Sequence, residues 1–396
     1  MPSPDEFYRI KRLPPYVFEE VNRLKARLRA EGRDVIDFGM GNPDLPTPPH
    51  ILDKLIETAN KPRTNRYSAS KGIPGLRRSI ARYYERRFNT KLNPDTEVVA
   101  TLGSKEGFAN LAQAITAPGD VILAPDPAYP IHAYGFIIAG GVIRAVPAPS
   151  PEAYLSGMSR AIAHITPKPT AMVLNYPSNP TAQMVGLDFY KDAVALAKKQ
   201  DIWILSDLAY SEIYFDKPAP SILEVDGAKD IAVEVNSLSK TYAMAGFRVG
   251  MAVGNAHLIS ALSRVKSYLD YGAYTPIQVA ASAALDGPQD CVDEIRAIYK
   301  SRRDALVDSF AKAGWNIPVP PASMFAWAPI PEDFKALGSV GFAKKLMEEA
   351  DVAVAPGLGF GEHGEGFVRI GLVENEQRIR QAARNVKRML SRRNAA

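Results

Sequence analysis

Residues 203–210 read WILSDLAY: an apolar run, one aspartate, and an aromatic end. A strand with one face in water alternates apolar and polar residues, and this run does not alternate before Asp207. Strands apolar on both faces belong inside a mostly parallel sheet covered by helices. The same texture recurs in EVVAT (97–101), VILAPD (121–126), GVIRAVP (141–147), AMVLNYP (171–177) and AVEVNSLS (232–239), with helical patterns between them. The alternation predicts an α/β fold whose sheet is flanked by helices on both sides.

Outside this block the texture changes. VFEEVNRLKARLRAE (17–31) places apolar residues at helical spacing. Beyond about residue 285 come a long charged helix, three strand-like runs and a final basic helix. The three runs are MFAWAPI (324–330), VAVAPG (352–357) and FVRIGLV (367–373). The expected division is a large α/β domain, 46–284, and a smaller α+β domain formed by both termini, 1–45 and 285–396.

Bulk properties narrow the function classes. The 396 residues exceed what one small core needs, and 46% hydrophobic with 23% charged residues is ordinary for a globular protein. The net charge of +5 comes from scattered Lys and Arg, so no nucleic-acid partner is expected. A single cysteine, Cys291, fits a reducing compartment, and no apolar run reaches membrane-spanning length. A cytoplasmic protein without a membrane partner follows. The five histidines show no metal-ligand spacing, so no metal is expected.

Several polar residues follow the ends of the strand runs. Asp207 ends one, with Tyr210 three residues on; Asn175 ends another before Asn179-Pro180; Asp126-Pro127 and Tyr129 follow a third. After VVAT, Gly103-Ser104 opens a helix with Ser104 at the expected N-cap, which presents the amides of Lys105 and Glu106 to an anion. Each alone reads as a turn or a cap. Open α/β sheets, however, bind ligands outside the carboxyl ends of their strands, so these residues converge on one crevice. Gly359, Gly361 and Gly364 fit G-x-G-x-x-G, but a strand follows them instead of a helix, which excludes a dinucleotide site.

SLSKTYAMAGFRVG (237–250) adds an amine to the crevice. Lys240 follows a strand end, Ser237 and Ser239 offer hydroxyls, and Arg248 offers a fork for phosphate. An amine, an acid, phosphate ligands and an aromatic face together suit pyridoxal phosphate. Lysine forms the imine, an acid keeps the pyridine nitrogen protonated, and a ring stacks on the cofactor.

The chain resembles the class I aminotransferases of the aspartate aminotransferase fold over essentially its whole length. The resemblance implies that Lys240 is the Schiff-base lysine, with Ser237, Ser239 and Arg248 on the phosphate. It implies that Asp207 faces the pyridine nitrogen, while Tyr210 and Asn179 (in YPSNPT) share the phenolic oxygen. Tyr129 in DPAYP would stack on the ring, and Ser104 and Lys105 would cradle the phosphate. Arg369 in FVRIGLV and Gly41 in GMGNPD would hold the substrate carboxylate. Tyr16 would be a further substrate contact, and Tyr67 in NRYSASKGIPGLR would cross a homodimer interface to the partner's phosphate. The segment 268–276 would approach from that partner too. Asp126-Pro127 and Asn179-Pro180 match positions of cis peptide bonds.

LPPYVF, GNPDLPTPPH, GSKEGFANL, YPIHAYG, KSYLDYG and GFGEHGEG are similar to the bacterial glutamate–pyruvate (alanine) aminotransferases. That likeness implies amino exchange between L-alanine and 2-oxoglutarate, in amino-acid biosynthesis. LL-diaminopimelate and aspartate aminotransferases remain the alternatives, as does a C–S lyase on the same fold. No motif marks a second arginine for a distal carboxylate; Arg63, Arg66 and Lys105 are the basic candidates. A transcription regulator of this architecture would need a DNA-binding module, for which the chain leaves no room.

Overall fold

The computed structural model of the chain describes residues 7–14 and 17–393. Its centre is a seven-stranded sheet. The strands are β1 (Val98–Thr101), β2 (Val121–Asp126), β3 (Val142–Pro147), β4 (Ala171–Asn175), β5 (Trp203–Asp207), β6 (Ala232–Ser237) and β7 (Gly250–Gly254). They lie in the order β1-β7-β6-β5-β4-β2-β3. The pairs from β3 to β6 are parallel, and β7 alone runs the other way between β6 and β1.

Successive residues of the inner strands feed opposite faces, as the strand period of two requires. Met172, Leu174 and Ile204 enter one core with Leu123. Val173 and Leu205 enter another with Ile122 and Val233. Each such side chain contributes about 1.5–3 kcal/mol by leaving water, so neither face could be polar. The unalternating runs have this cause. GVIRAVP departs from the expectation of a strand buried on both faces: β3 ends the sheet, and most of its residues are half-buried or exposed.

The termini build a second core. Helices Asp290–Lys312 and Glu376–Arg393 pack on each other and share a core with a three-stranded sheet in which Phe367–Gly371 lies between Ala355–Pro356 and Phe325–Pro329. Ile36 and Phe38 join this core from the other end of the chain. The expected N-terminal helix is Phe18–Ala30, and its Val21, Leu24 and Leu28 pack against Met347 and Ala353. VAVAPG is not one strand, as its sequence suggests. Val352–Ala353 pairs in parallel with Ile36–Asp37, and Ala355–Pro356 then pairs antiparallel with Phe367–Gly371. The segment changes neighbours at Val354, which divides it.

Register brings the carboxyl ends level. Asn175 lies opposite Asp207, Asp207 opposite Val235, and both Ser237 and Thr101 opposite Gly250. Polar residues from four separate sequence blocks therefore meet at one rim.

Candidate active site

Along that rim lies a cavity of about 450 Å³. Gly41, Ser104, Lys105, Tyr129, Asn179, Asp207, Tyr210, Ser237, Ser239, Lys240, Arg248 and Arg369 all line it. Two expected residues are not among them. Tyr16 falls outside the described residues, and Tyr67 stands 86% exposed on the surface, its ring tilted against that of Tyr271 with centroids 4.7 Å apart. Tyr268, Leu269 and Tyr274, from the same segment as Tyr271, are exposed as well.

Lys240 is not in a loop, as its sequence context suggests, but in a single helical turn, Leu238–Thr241. Ser237 caps that turn: its Oγ accepts from the Ser239 amide at 3.1 Å. The cap fixes the direction of the turn and aims Lys240 across the cavity, where Nζ donates to the Gly41 carbonyl at 2.7 Å. No acid forms an ion pair with Lys240 among the described residues. Burial, with Arg369 and Arg248 adding repulsion, lowers its pKa to about 8.

The side-chain partner of Asp207 is His132. His132 is fully buried, and its Nε2 donates to Asp207 Oδ2 at 2.9 Å. The Ala209 amide donates to Oδ1 at 3.1 Å, and Asn175 Nδ2 to the Asp207 carbonyl at 2.9 Å. The carboxylate is thus fixed in position. His132 was missed by sequence reasoning, which treated the histidines only as potential metal ligands. It occupies the first turn of helix Ile131–Ala139, three residues after Tyr129, and Phe108 and Tyr129 flank its ring. YPIHAYG sets a histidine three residues after Tyr129, but nothing in that stretch shows that its ring is buried behind Asp207.

Asn175, Asn179 and Arg369 form a ladder. Asn175 Oδ1 accepts the Asn179 amide at 2.9 Å, and Arg369 Nη1 donates to Asn179 Oδ1 at 2.8 Å. Asn179 Nδ2 also reaches Tyr210 Oη at 3.4 Å, and burial raises the Tyr210 pKa. Phe325 and Phe360 lie 4.1 and 4.6 Å from the Arg369 guanidinium, which holds it in a cation–π slot that no motif announced. A Cβ on Gly41 would come within 2.6 Å of the Phe325 ring, so glycine is required there.

At the cavity's other end, helix Ser104–Ile115 starts one residue earlier than expected. Gly103 (φ +85°) is the N-cap and Ser104 the first helical residue. A Cβ on Gly103 would collide with Arg248, whose Nη2 donates to the Leu102 carbonyl at 3.2 Å. Ser104, Ser237, Ser239 and Arg248 thereby gather hydroxyl and guanidinium groups beside a helix N-terminus, a ready anion site.

The glycine-rich turn is accounted for as well. Gly361 (φ +133°) passes against the Asp126 carboxylate, which accepts from His363 Nδ1 at 2.9 Å. The turn lies on the strand end that carries Tyr129 and is no phosphate loop. The peptide bonds preceding Pro127 and Pro180 are cis, as are those preceding Pro167 and Pro177.

The cavity thus holds an amine without an acid partner, an anion cradle at one end, a fixed carboxylate, and an arginine aimed inward. Comparison with known proteins agrees with this chemistry. Residues 33–386 match the family described as aminotransferase class I and II. The chain is 66% identical to a putative aminotransferase AatC of Rhizobium meliloti (strain 1021), over 98% of this chain and 96% of that protein. It is 53% identical to the glutamate-pyruvate aminotransferase AlaC of Escherichia coli (strain K12), over 97% and 93% of the two chains. The substrate-bound structure of BacF from Bacillus subtilis superposes with a TM-score of 0.91, at 34% identity and 98% coverage of both chains. The chain belongs to the class I and II aminotransferases.

Proposed function

We propose that the protein uses pyridoxal phosphate to exchange an amino group between L-alanine and 2-oxoglutarate, giving pyruvate and L-glutamate. The observation that carries the reading is Lys240: an acid-free amine, its pKa lowered to about 8, between a fixed carboxylate and an anion cradle. The donor set fits the cofactor. Ser104, Lys105, Ser237, Ser239 and Arg248 suit its phosphate, Tyr129 its ring face, Asp207 its ring nitrogen, and Tyr210 with Asn179 its phenolic oxygen.

When bound, the cofactor supplies an aldehyde that condenses with amines and a ring that accepts electrons from the substrate's α-carbon. Lys240 is the amine that would hold the cofactor, and its free Nζ would serve as the general base. With a pKa near 8, a useful fraction of it is neutral at physiological pH, and Nζ takes the proton from Cα. Gly41's carbonyl holds Nζ on the cavity side. Arg369, steadied by Asn179 and clamped by Phe325 and Phe360, binds the α-carboxylate and so orients the Cα–H bond toward Lys240. Asp207, with His132 behind it, would be the group that meets the ring nitrogen.

The alanine assignment rests on the likeness to glutamate-pyruvate aminotransferase and on the lack of a dedicated second arginine in the lining. Glutamate still needs a partner for its distal carboxylate. The Lys105 side chain, which lines the cavity while its backbone amide belongs to the phosphate cradle, is the candidate for that role. Arg63 and Arg66 are exposed beside Tyr67 and would reach a substrate only across an interface. The exposure of Tyr67, Tyr268, Tyr271 and Tyr274 supports a homodimer in which Tyr67 and segment 268–276 complete the partner's site. One core drawn mostly from residues 295–389 with Ile36 and Phe38, joined by Ala209, Tyr210, Ile213 and Phe215, supports the division into residues 46–284 and residues 1–45 with 285–396. Among the described residues no helix is long and apolar enough to cross a membrane, and we assign the enzyme to the cytoplasm, in amino-acid biosynthesis.

The test is a screen of amino donors against pyruvate and 2-oxoglutarate. L-Alanine with 2-oxoglutarate is expected to give the highest kcat/KM, with neighbouring donors accepted because a methylene changes specificity by only about 10–200-fold. Efficiency for L-alanine about tenfold or more below that for L-aspartate or LL-diaminopimelate overturns the substrate assignment and leaves amino transfer standing.

A further inference from the structure

Lys266 is wholly buried, and nothing in the mechanism uses it. It lies on helix Ala256–Leu269, and its Nζ donates to Glu106 Oε1 and to Asp270 Oδ2, both at 2.9 Å. Glu106 belongs to the first turn of helix Ser104–Ile115, whose N-terminus forms the anion cradle. Its other oxygen, Oε2, accepts the Leu102 amide at 2.7 Å and so ties down the sharp turn through Gly103. On the far side, Asp270 Oδ1 accepts the Gly272 amide at 2.6 Å, and the Asp270 carbonyl accepts from Ser70. A continuous polar chain therefore runs from the anion cradle to the segments that carry Tyr67 and Tyr271.

This arrangement contains a conflict. A glutamate in the first turn of a helix suits the helix's own positive end. The same turn is where a doubly charged phosphate would sit, and a carboxylate beside it repels it. Lys266 is the counter-charge that lets Glu106 hold the turn without spoiling the cradle. With Lys266, the Glu106–Lys266–Asp270 group carries one net negative charge; without it, two.

We propose that Lys266 is a positioning residue that sets the affinity of the site for the phosphate of its cofactor, by neutralising Glu106 and fixing the Leu102–Ser104 turn. The inference rests on the pyridoxal phosphate reading above. It concerns the phosphate end only, which makes it separable from a general loss of structure.

The experiment titrates the cofactor-free protein with pyridoxal phosphate and, separately, with pyridoxal, which lacks the phosphate, and follows binding by absorbance. In Lys266→Met the dissociation constant for pyridoxal phosphate is expected to rise about tenfold or more, with pyridoxal changed by less than about threefold. Glu106→Gln keeps Lys266 paired with Asp270 and removes the repelling charge. Its preference for pyridoxal phosphate over pyridoxal is expected to increase by about threefold or more. This second variant decides the matter if Lys266→Met does not fold. Equal losses for both ligands in Lys266→Met, or an unchanged or reduced preference in Glu106→Gln, overturns the inference. Native protein that binds neither ligand overturns the functional reading instead.

Discussion

Two lysines lie inside this molecule in opposite circumstances. Lys266 sits between two carboxylates, its ammonium charge matched on both sides. Lys240 faces a cavity with one carbonyl oxygen for company and two guanidinium groups close enough to repel it. Burial disfavours the charged form of any amine, and a carboxylate partner compensates. Lys266 has that compensation from Glu106 and Asp270. Lys240 lacks it, and its pKa falls to about 8. Burial alone therefore marks neither residue as reactive; the missing acid does.

Removing Lys240 sharpens the contrast most. Lys240→Ala leaves no amine to hold the cofactor and no base, so kcat/KM is expected to fall by about four orders of magnitude or more. Turnover near the native rate would end the whole reading. Arg369→Gln comes next. It deletes a charged, two-pronged grip on the α-carboxylate and is expected to lower kcat/KM by about 10²–10³-fold with the cofactor still bound. A loss confined to cofactor binding would place Arg369 elsewhere in the mechanism.

Acylation of the cofactor-free protein compares the lysines directly. At pH 8 about half of Lys240 is neutral, against well under 1% of an ordinary lysine, a reactivity advantage of about a hundredfold. Peptide mass spectrometry is expected to find Lys240 modified with a midpoint near pH 8 and Lys266 unmodified. Equal modification would break the comparison.

Glu234 supplies the control, a buried charge with neutral partners only. It accepts from Tyr84, Ser206, Ser221 and the Ile222 amide, and burial raises its pKa from 4.5 to about 7. A carboxyl whose pKa is raised by folding binds its proton more tightly in the native state. Its stabilising contribution is full below pH 4.5 and is lost as the pH climbs through 7. Between pH 5.5 and 8 the loss is about 2 kcal/mol. Denaturant unfolding of the cofactor-free protein should show this slope, and Glu234→Gln should flatten it; an equal slope in both contradicts the assignment.

What the sequence disclosed follows the range over which each signal acts. Unalternating strands disclose the sheet because burial on both faces is a property of each run by itself. Lys240, Asp207 and Asn179 stand directly after such runs, so the level strand ends place them without further information. His132 depends on how helix Ile131–Ala139 packs against the end of β5, and no local pattern carries that. The clamp of Phe325 and Phe360 on Arg369 joins three separated segments, as does the Glu106–Lys266–Asp270 group. The division of VAVAPG depends on which strand lies beside each half. Ser104 looked like a cap because serine is a good one, yet Arg248 leaves room at the preceding position only for glycine.

The most direct test of the Lys240 centre is a half-reaction. Enzyme loaded with pyridoxal phosphate is mixed with L-alanine and no keto acid, while cofactor absorbance and released products are followed. The expected result is one pyruvate per active site, a matching spectral change without ammonia, and full reversal on adding 2-oxoglutarate. Continuous release of ammonia or carbon dioxide, or a spectral change that 2-oxoglutarate does not reverse, would contradict amino transfer at Lys240.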